Sequence, residues 1–318
     1  MCYAAPIKVL FLSRSDSGKP HAFVMEQGRA LERNFSIQVD HFLVRTGGIK
    51  GSVSALLELK KYLSNNRIDV LHVHYGLWAM IAIATKMIFL KNYKIVITYH
   101  GSDIFKKSER KFSQLASRFA AHNIVVSERM LQYIHKQYSV IPCGIDTDVQ
   151  LVTKAAARKL FDWNENDFII LFSSNFKRQV KDPEFAFKVI EAYKKQTRKS
   201  VQFIELVNYS REQLTTAMQA ADALIMCSKS EGSPQIIKEA ILNTLPIVSN
   251  DIGDVKSICN GVDNCFIVNK NIAEYIISLN EIADSNSRIK NRNLVIDRFD
   301  NNKISERLYE IYGKVLYN

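Results

Sequence analysis

IKVLFLS (7–13) and FIILFSS (168–174) decide how the chain reads. Each is a short apolar run that ends in small polar residues, passes into a polar, basic loop, and gives way to a segment with helical period. A buried parallel strand with a loop at its carboxyl edge is how a Rossmann-like domain begins. Two such beginnings in 318 residues predict two domains, because single cores stop growing near roughly 250–300 residues.

Working outward, β-rich apolar runs alternate with helical patterns. The strand candidates are 36–44, 69–74, 94–100, 123–127 and 139–142 in the first half, and 200–206, 222–228, 246–250 and 265–268 in the second. This alternation predicts an α/β protein with two parallel, doubly wound sheets facing across a cleft. The turn-rich stretch Pro142–Asp148 marks the boundary, giving domains over 1–148 and 149–318. The last helix, over 301–317, is a candidate to pack back on the first domain. Ligands of such sheets gather at the carboxyl ends of the strands, so the loops just after strands hold the residues of interest.

Composition narrows the class. A hydrophobic fraction of 47% and a charged fraction of 24% exclude a disordered or fibrous chain. Five cysteines (Cys2, Cys143, Cys227, Cys259 and Cys265) form no CxxC pair, which fits a reduced, cytoplasmic setting without a zinc site. The opening MCYAAPIKVLFLS lacks the basic start of a signal peptide. The longest apolar stretch, 76–90, is broken by Lys86 and reads as a core helix.

The net charge of +11 is uneven: residues 1–150 hold 20 Lys and Arg against 11 Asp and Glu. An anionic membrane surface or an acidic small molecule would suit that half, and so would simple solvation of a basic face. Nucleic acid is not expected, for no basic face interleaved with aromatics is evident.

The densest chemistry lies in SKSEGSPQIIKEAILNTLPIVSNDIGDV (228–255). Glu231, Gly232 and Ser233 form a loop after a strand. Ser233 is placed to cap a helix, and Pro234 fits its first turn. Such a helix start suits phosphate. Glu239 lies one turn after Gln235 and off the apolar stripe Ile236, Ile237, Ala240 and Ile241. On spacing alone, both carboxylates also fit a solvated surface.

With its Glu pair eight residues apart, EGSPQIIKEA between them and PIVSNDIGDV behind, this segment resembles the signature of glycosyltransferase family 4, of the group 1 type. HVHYG (72–76), TYHGSDI (98–104) and VIPCGID (140–146) stand where that family places such segments, so the resemblance runs through almost the whole chain. It implies the GT-B fold and a retaining, metal-independent transfer from a UDP- or GDP-linked sugar, which serves as co-substrate; no cofactor is implied. Glu231 would face the donor sugar, and Glu239 would bind the ribose hydroxyls. The backbone of Gly232, Ser233, Pro234, Gln235 and Ile236 would hold phosphates and sugar. His100 would reach the sugar or acceptor, with Asp103 in the same loop. In SSNFKRQVKDP (173–183), Lys181 and either Arg178 or Lys177 would hold the diphosphate. Arg178 is preferred because a guanidinium matches phosphate oxygens.

Two departures stand out. Where the family has a glycine-rich loop after the first strand, this chain offers only Gly18, and the nucleotide loop of the second half is reduced to SVQFIELVNYS (200–210). His72 and His74 read as structural, with one of them able to face the cleft; no further ligand at suitable spacing suggests a metal. The acceptor implied is a saccharide or lipid-linked saccharide of cell-surface polysaccharide synthesis, met in the cytoplasm or at the inner face of the membrane. An epimerase of the same architecture and an inactive relative are the rival readings. A nicotinamide enzyme is disfavoured, because neither leading strand is followed by G-x-G-x-x-G.

Overall fold

In a computed structural model of the chain, which describes residues 5–15, 17–134 and 136–317, the backbone divides into two compact units. One holds the residues up to Ile145 together with those from Phe299 onward; the other runs from Asp146 to Arg298. The terminal helix thus belongs to the first unit.

The first unit contains β1 (Ile7–Arg14), α1 (Ala22–Asn34), β2 (Ile37–Val44), α2 (Gly48–Asn65), β3 (Val70–His74) and α3 (Gly76–Ile88). These are followed by β4 (Lys94–Tyr99), α4 (Ser102–Phe105), α5 (Lys107–Ser117), β5 (His122–Val125) and β6 (Tyr138–Val140). Its six strands are parallel in the order β2-β1-β3-β4-β5-β6. Strand residues alternate between two apolar layers, as the period of two requires. Leu10, Leu12, Leu71, Val73, Ile95 and Ile97 face the layer built on α2 and α3. Val9, Phe11, Val70 and Val96 face the opposite layer, which contains Ile304, Leu308, Ile311 and Tyr312 of the terminal helix. As expected of a core helix, α3 is buried over much of its length, although Met87 and Ile88 at its end are exposed. Its first residue must be glycine, since a β-carbon there would run into the Ser113 hydroxyl and the Tyr99 ring.

The second unit contains α6 (Lys154–Lys159), β7 (Phe168–Phe172), α7 (Pro183–Gln196), β8 (Val201–Glu205), α8 (Arg211–Ala220) and β9 (Ala223–Met226). After these come α9 (Gln235–Leu242), β10 (Ile247–Asn250), α10 (Val255–Ile258), β11 (Cys265–Val268), α11 (Ile272–Ser285) and α12 (Asn293–Phe299), whose last residue already belongs to the first unit. The terminal helix is α13 (Asn301–Tyr317). The five strands of this unit are parallel in the order β11-β10-β9-β7-β8. Local signals explain the helix starts: Pro183 opens α7, and Ser210 with Gln213 forms a capping box on α8.

Asp222 pins this unit from within. Its carboxylate accepts from Arg158 (2.6 Å), Lys154 (2.9 Å) and the amide of Ile169 (2.7 Å), so the buried guanidinium has its charge paired. In each sheet the strand order reverses beside the unit's first strand, between β1 and β3 and between β7 and β9. Crevices of open α/β sheets form at such points.

Of the five cysteines, Cys2 lies outside the described residues; Cys143, Cys227, Cys259 and Cys265 are free thiols.

Candidate active site

At the switch point of the second sheet, the loops after β7 and β9 meet. Lys181, buried at the end of a short 3-10 turn (Gln179–Lys181), places its ammonium 2.5 Å from Glu231 Oε1. The Ser228 hydroxyl donates to the same oxygen at 2.6 Å. Two residues fifty positions apart in sequence thus form a largely buried ion pair at the carboxyl edge of the sheet. The loop is held from behind: the amide of Asp254 donates to the Gly232 carbonyl at 3.0 Å. Gly253 lies at φ +55°, where a β-carbon would strike that same carbonyl. Only glycine meets both demands.

The helix start differs from the expected one. Ser233 does not cap it. Pro234, still extended at φ −68° and ψ 115°, holds the cap position, and α9 begins at Gln235. Ser233 is therefore one residue too early to reach the first amides. Its hydroxyl is buried without a hydrogen-bond partner, as is that of Ser173 at the end of β7. Pro234 has no N–H, so the backbone donors of this turn come from Gly232, Ser233, Gln235 and Ile236.

Farther along α9, Glu239 leaves the apolar face as expected. Its carboxylate is paired with Arg211 at the start of α8 (2.5 Å). Both line a cavity of about 530 Å³ with Leu214, Met218 and Asn243.

The two candidates for the first diphosphate cation separate. Lys177 and Arg178 are both exposed. Arg178 turns back toward the strand end, with Nη1 3.4 Å from the Ser174 hydroxyl. Next to Lys181, Asp182 takes a left-handed conformation and receives Lys270 (2.7 Å) and Lys229 (3.4 Å). Burial works against its charge, yet these two ammonium groups hold its carboxyl below the ordinary value.

In the first unit, His100 follows β4. Its Nε2 lies 3.1 Å from His74 Nδ1, and its Nδ1 lies 3.5 Å from the Cys143 sulfur. The rings of Phe23 and Tyr75 flank it at 5.0 and 4.6 Å between centroids. Tyr75 has φ +73°, a costly conformation for a bulky residue. His74 Nε2 is buried without a partner. Leaving an N–H unpaired in a protein interior is the rarer outcome, which puts the His74 proton on Nδ1, donated to His100. His100 then donates from Nδ1 to Cys143.

Of the two strand histidines, neither is open to a ligand. Both lie on the same sheet face and are fully buried. His72 bonds Tyr312 of α13 (2.6 Å) and Thr98 (2.7 Å), and burial pushes its pKa down to about 3. Burial, with neighbouring histidines adding to it, drives His74 well below 6.5.

Asp103 is also buried rather than presented to a ligand. It accepts from the amides of Gly76 (2.8 Å), His100 (3.1 Å) and Gly101 (2.9 Å). Burial raises its pKa to about 6 despite those bonds. Its role is to fix the turn that carries His100. Gly18 sits at φ +74° with open space around it, as a turn residue. Among the described residues, no three His, Cys, Asp or Glu side chains gather where they could hold a metal ion.

Sequence reading missed Ser228, Arg211, His74 as partner of His100, and Cys143. Ser228 stands one turn before Glu231 and carried a local signal. Arg211 and Cys143 carried none, because their partners are 28 and 43 positions away.

Comparison with known proteins closes the identification. Two family models match the chain consecutively: Glycosyltransferase Family 4 over residues 4–149 and Glycosyl transferases group 1 over 167–285. No curated protein matches. Among solved structures, the chain is similar to sucrose-phosphate synthase from Thermosynechococcus elongatus (TM-score 0.82, 16% identity, 97% of this chain and 99% of that one). It is also similar to Anabaena Alr3699/HepE in complex with UDP and glucose (TM-score 0.73, 17% identity, 96% and 99%). A third is the lipopolysaccharide outer core galactosyltransferase WaaB (TM-score 0.68, 13% identity, 97% and 99%). With two parallel sheets of this order and both family models in sequence, the chain belongs to the family 4, group 1 glycosyltransferases and has their GT-B fold.

Proposed function

We propose that the chain moves a sugar, with retention of configuration and without a metal, from a UDP- or GDP-linked sugar to a hydroxyl of a saccharide or lipid-linked saccharide in cell-surface polysaccharide synthesis. The observation that carries this reading is the Lys181–Glu231 pair at the switch point of the second sheet, beside the start of α9. A donor diphosphate there would draw the ammonium of Lys181 from Glu231 and meet Arg178, together with the backbone of Gly232, Ser233, Gln235 and Ile236. Glu239 would exchange Arg211 for the ribose hydroxyls. Both pairs hold their charges ready without leaving a carboxylate alone. Similarity to a chain crystallised with UDP and glucose supports a nucleotide-sugar donor.

In the reaction, the bond from the anomeric carbon to the phosphate oxygen breaks as the acceptor oxygen bonds to that carbon on the same face. The acceptor proton passes to the departing phosphate. Lys181 and Arg178 stabilise the charge that builds on the diphosphate. Glu231 positions the sugar and stabilises its cationic character. His100, held by His74 and Cys143, serves the acceptor side. The basic first half suits an acceptor at an anionic membrane and supports a cytoplasmic setting peripheral to the inner face. Similarity to a lipopolysaccharide galactosyltransferase supports this acceptor class.

The test is a thermal-shift screen against UDP, GDP, ADP, CMP, NAD and their sugar conjugates. Binding to the native state raises the midpoint by mass action. One nucleotide diphosphate should give a clear shift that Glu239→Ala abolishes. Glu231→Gln should keep the shift and lose transfer. Unchanged turnover in that variant would refute the role of Glu231, and turnover of donor without acceptor would point to an epimerase.

A further inference from the structure

The first unit carries an apolar patch that its core does not use. At the end of α3, Met87 and Ile88 are 60% and 63% exposed, and Leu90 just beyond is 89% exposed. On the neighbouring helix α5 and its continuation, Phe112, Leu115 and Phe119 recur at helical spacing on the solvent side, each more than two-fifths exposed. A groove of about 500 Å³, lined by Ile83, Met87, Leu90, Ile95 and Phe119, joins the two sets. Single exposed apolar residues need no explanation, but Met87, Ile88, Leu90 and Phe119 at the adjoining ends of these helices, with Leu115 and Phe112 continuing along α5, mark an interaction surface.

The charges around them have one sign. Lys107, Lys111 and Arg118 are exposed along the same stretch of α5. Lys60 lies over the ring of Phe89 (4.5 Å), and Lys91 lines the groove. The one carboxylate of α5, Glu109, is taken by Lys106 at 2.6 Å. A second copy of the chain would set these cations against each other. A layer of lipid phosphates over hydrocarbon answers both components, with cations at the headgroups and apolar side chains below them.

We propose that this face, from the end of α3 across α5 to Phe119, docks the enzyme on an anionic phospholipid bilayer. No helix among the described residues is long and apolar enough to cross a membrane, so the docking is peripheral. The inference rests on the membrane-side acceptor reading for its purpose only, because lipid binding is measured without donor or acceptor.

The experiment is co-sedimentation of the full chain with phosphatidylcholine vesicles, with and without phosphatidylglycerol, at low and high salt. Binding should require phosphatidylglycerol and weaken with salt. The double variant Leu90→Ser/Phe119→Ser should bind at least about tenfold more weakly, and so should Lys111→Glu/Arg118→Glu. As a second measurement, Leu90→Trp at this exposed site should add emission that brominated phosphatidylglycerol vesicles quench. The proposal is overturned if the parent chain ignores anionic vesicles at low salt. It is overturned equally if the serine variant binds like the parent or the new tryptophan is not quenched. In those cases the patch is a site for an acidic protein, or the charge acts alone.

Discussion

Acidification should destabilise the first unit through His72, and the amount can be worked out. Its pKa is 6.5 in an open chain and about 3 when buried between Tyr312 and Thr98. Below 6.5 the unfolded chain therefore binds a proton that the folded chain refuses, and stability falls with pH until about 3. From pH 7 to pH 5, at 1.36 kcal/mol per unit, the loss from this one ring is about 2 kcal/mol. His74 acts in the same direction. Asp103 opposes them: burial lifts its pKa from 3.8 to about 6, so the folded chain takes up a proton first and gains stability as pH falls through that window.

A variant isolates the His72 contribution. His72→Leu with Tyr312→Phe and Thr98→Val removes the titrating ring and leaves no polar partner stranded. Urea unfolding at pH 7 and pH 5 would be followed by Trp78 fluorescence in a Trp163→Phe background, since Trp78 lies in the core of this unit. His74 and Asp103 are present in both proteins and cancel. The parent should lose about 2 kcal/mol more than the variant over this interval. Equal losses would refute the argument that His72 is held neutral by burial.

Three further outcomes follow from the packing. Asp222→Ala should cost about 3–5 kcal/mol, because it strands the buried guanidinium of Arg158, and chemical denaturation of the second unit would read it. Gly253→Ala should disturb the loop carrying Glu231 through the Gly232 carbonyl, weakening nucleotide binding in a titration more than it lowers the melting midpoint. His74→Phe keeps a ring in place but removes the bond that orients His100. Transfer should fall between about ten- and a hundredfold with the nucleotide-induced melting shift unchanged.

Much of this was legible beforehand. All eleven strands of the two sheets fall on runs that sequence reading marked, with ends shifted by at most two residues. Buried parallel strands are short continuous apolar runs, and that pattern is local. The loop of Glu231 was legible for the same reason, as a small, polar, glycine-containing break between a strand and a helix. Reading erred where one backbone angle mattered, as at Ser233; it took His74 correctly as structural but could not foresee the bond His74 makes to His100, nor that burial makes Asp103 a support of the His100 turn.

Sequence by itself determined two parallel α/β sheets, the strand-end loops that carry Glu231, Lys181 and His100, and a basic first half. Tertiary structure alone decided the pairs: Lys181 with Glu231, Arg211 with Glu239, Cys143 with His100, and Tyr312 with His72 across 240 positions. It also decided that the terminal helix completes the first unit. The physical reason is range. Periodicity and turn chemistry act over a few residues and leave a mark in the local sequence. A contact between distant side chains depends on strand order and on which sheet face each residue occupies, and it exists only once the sheets have assembled.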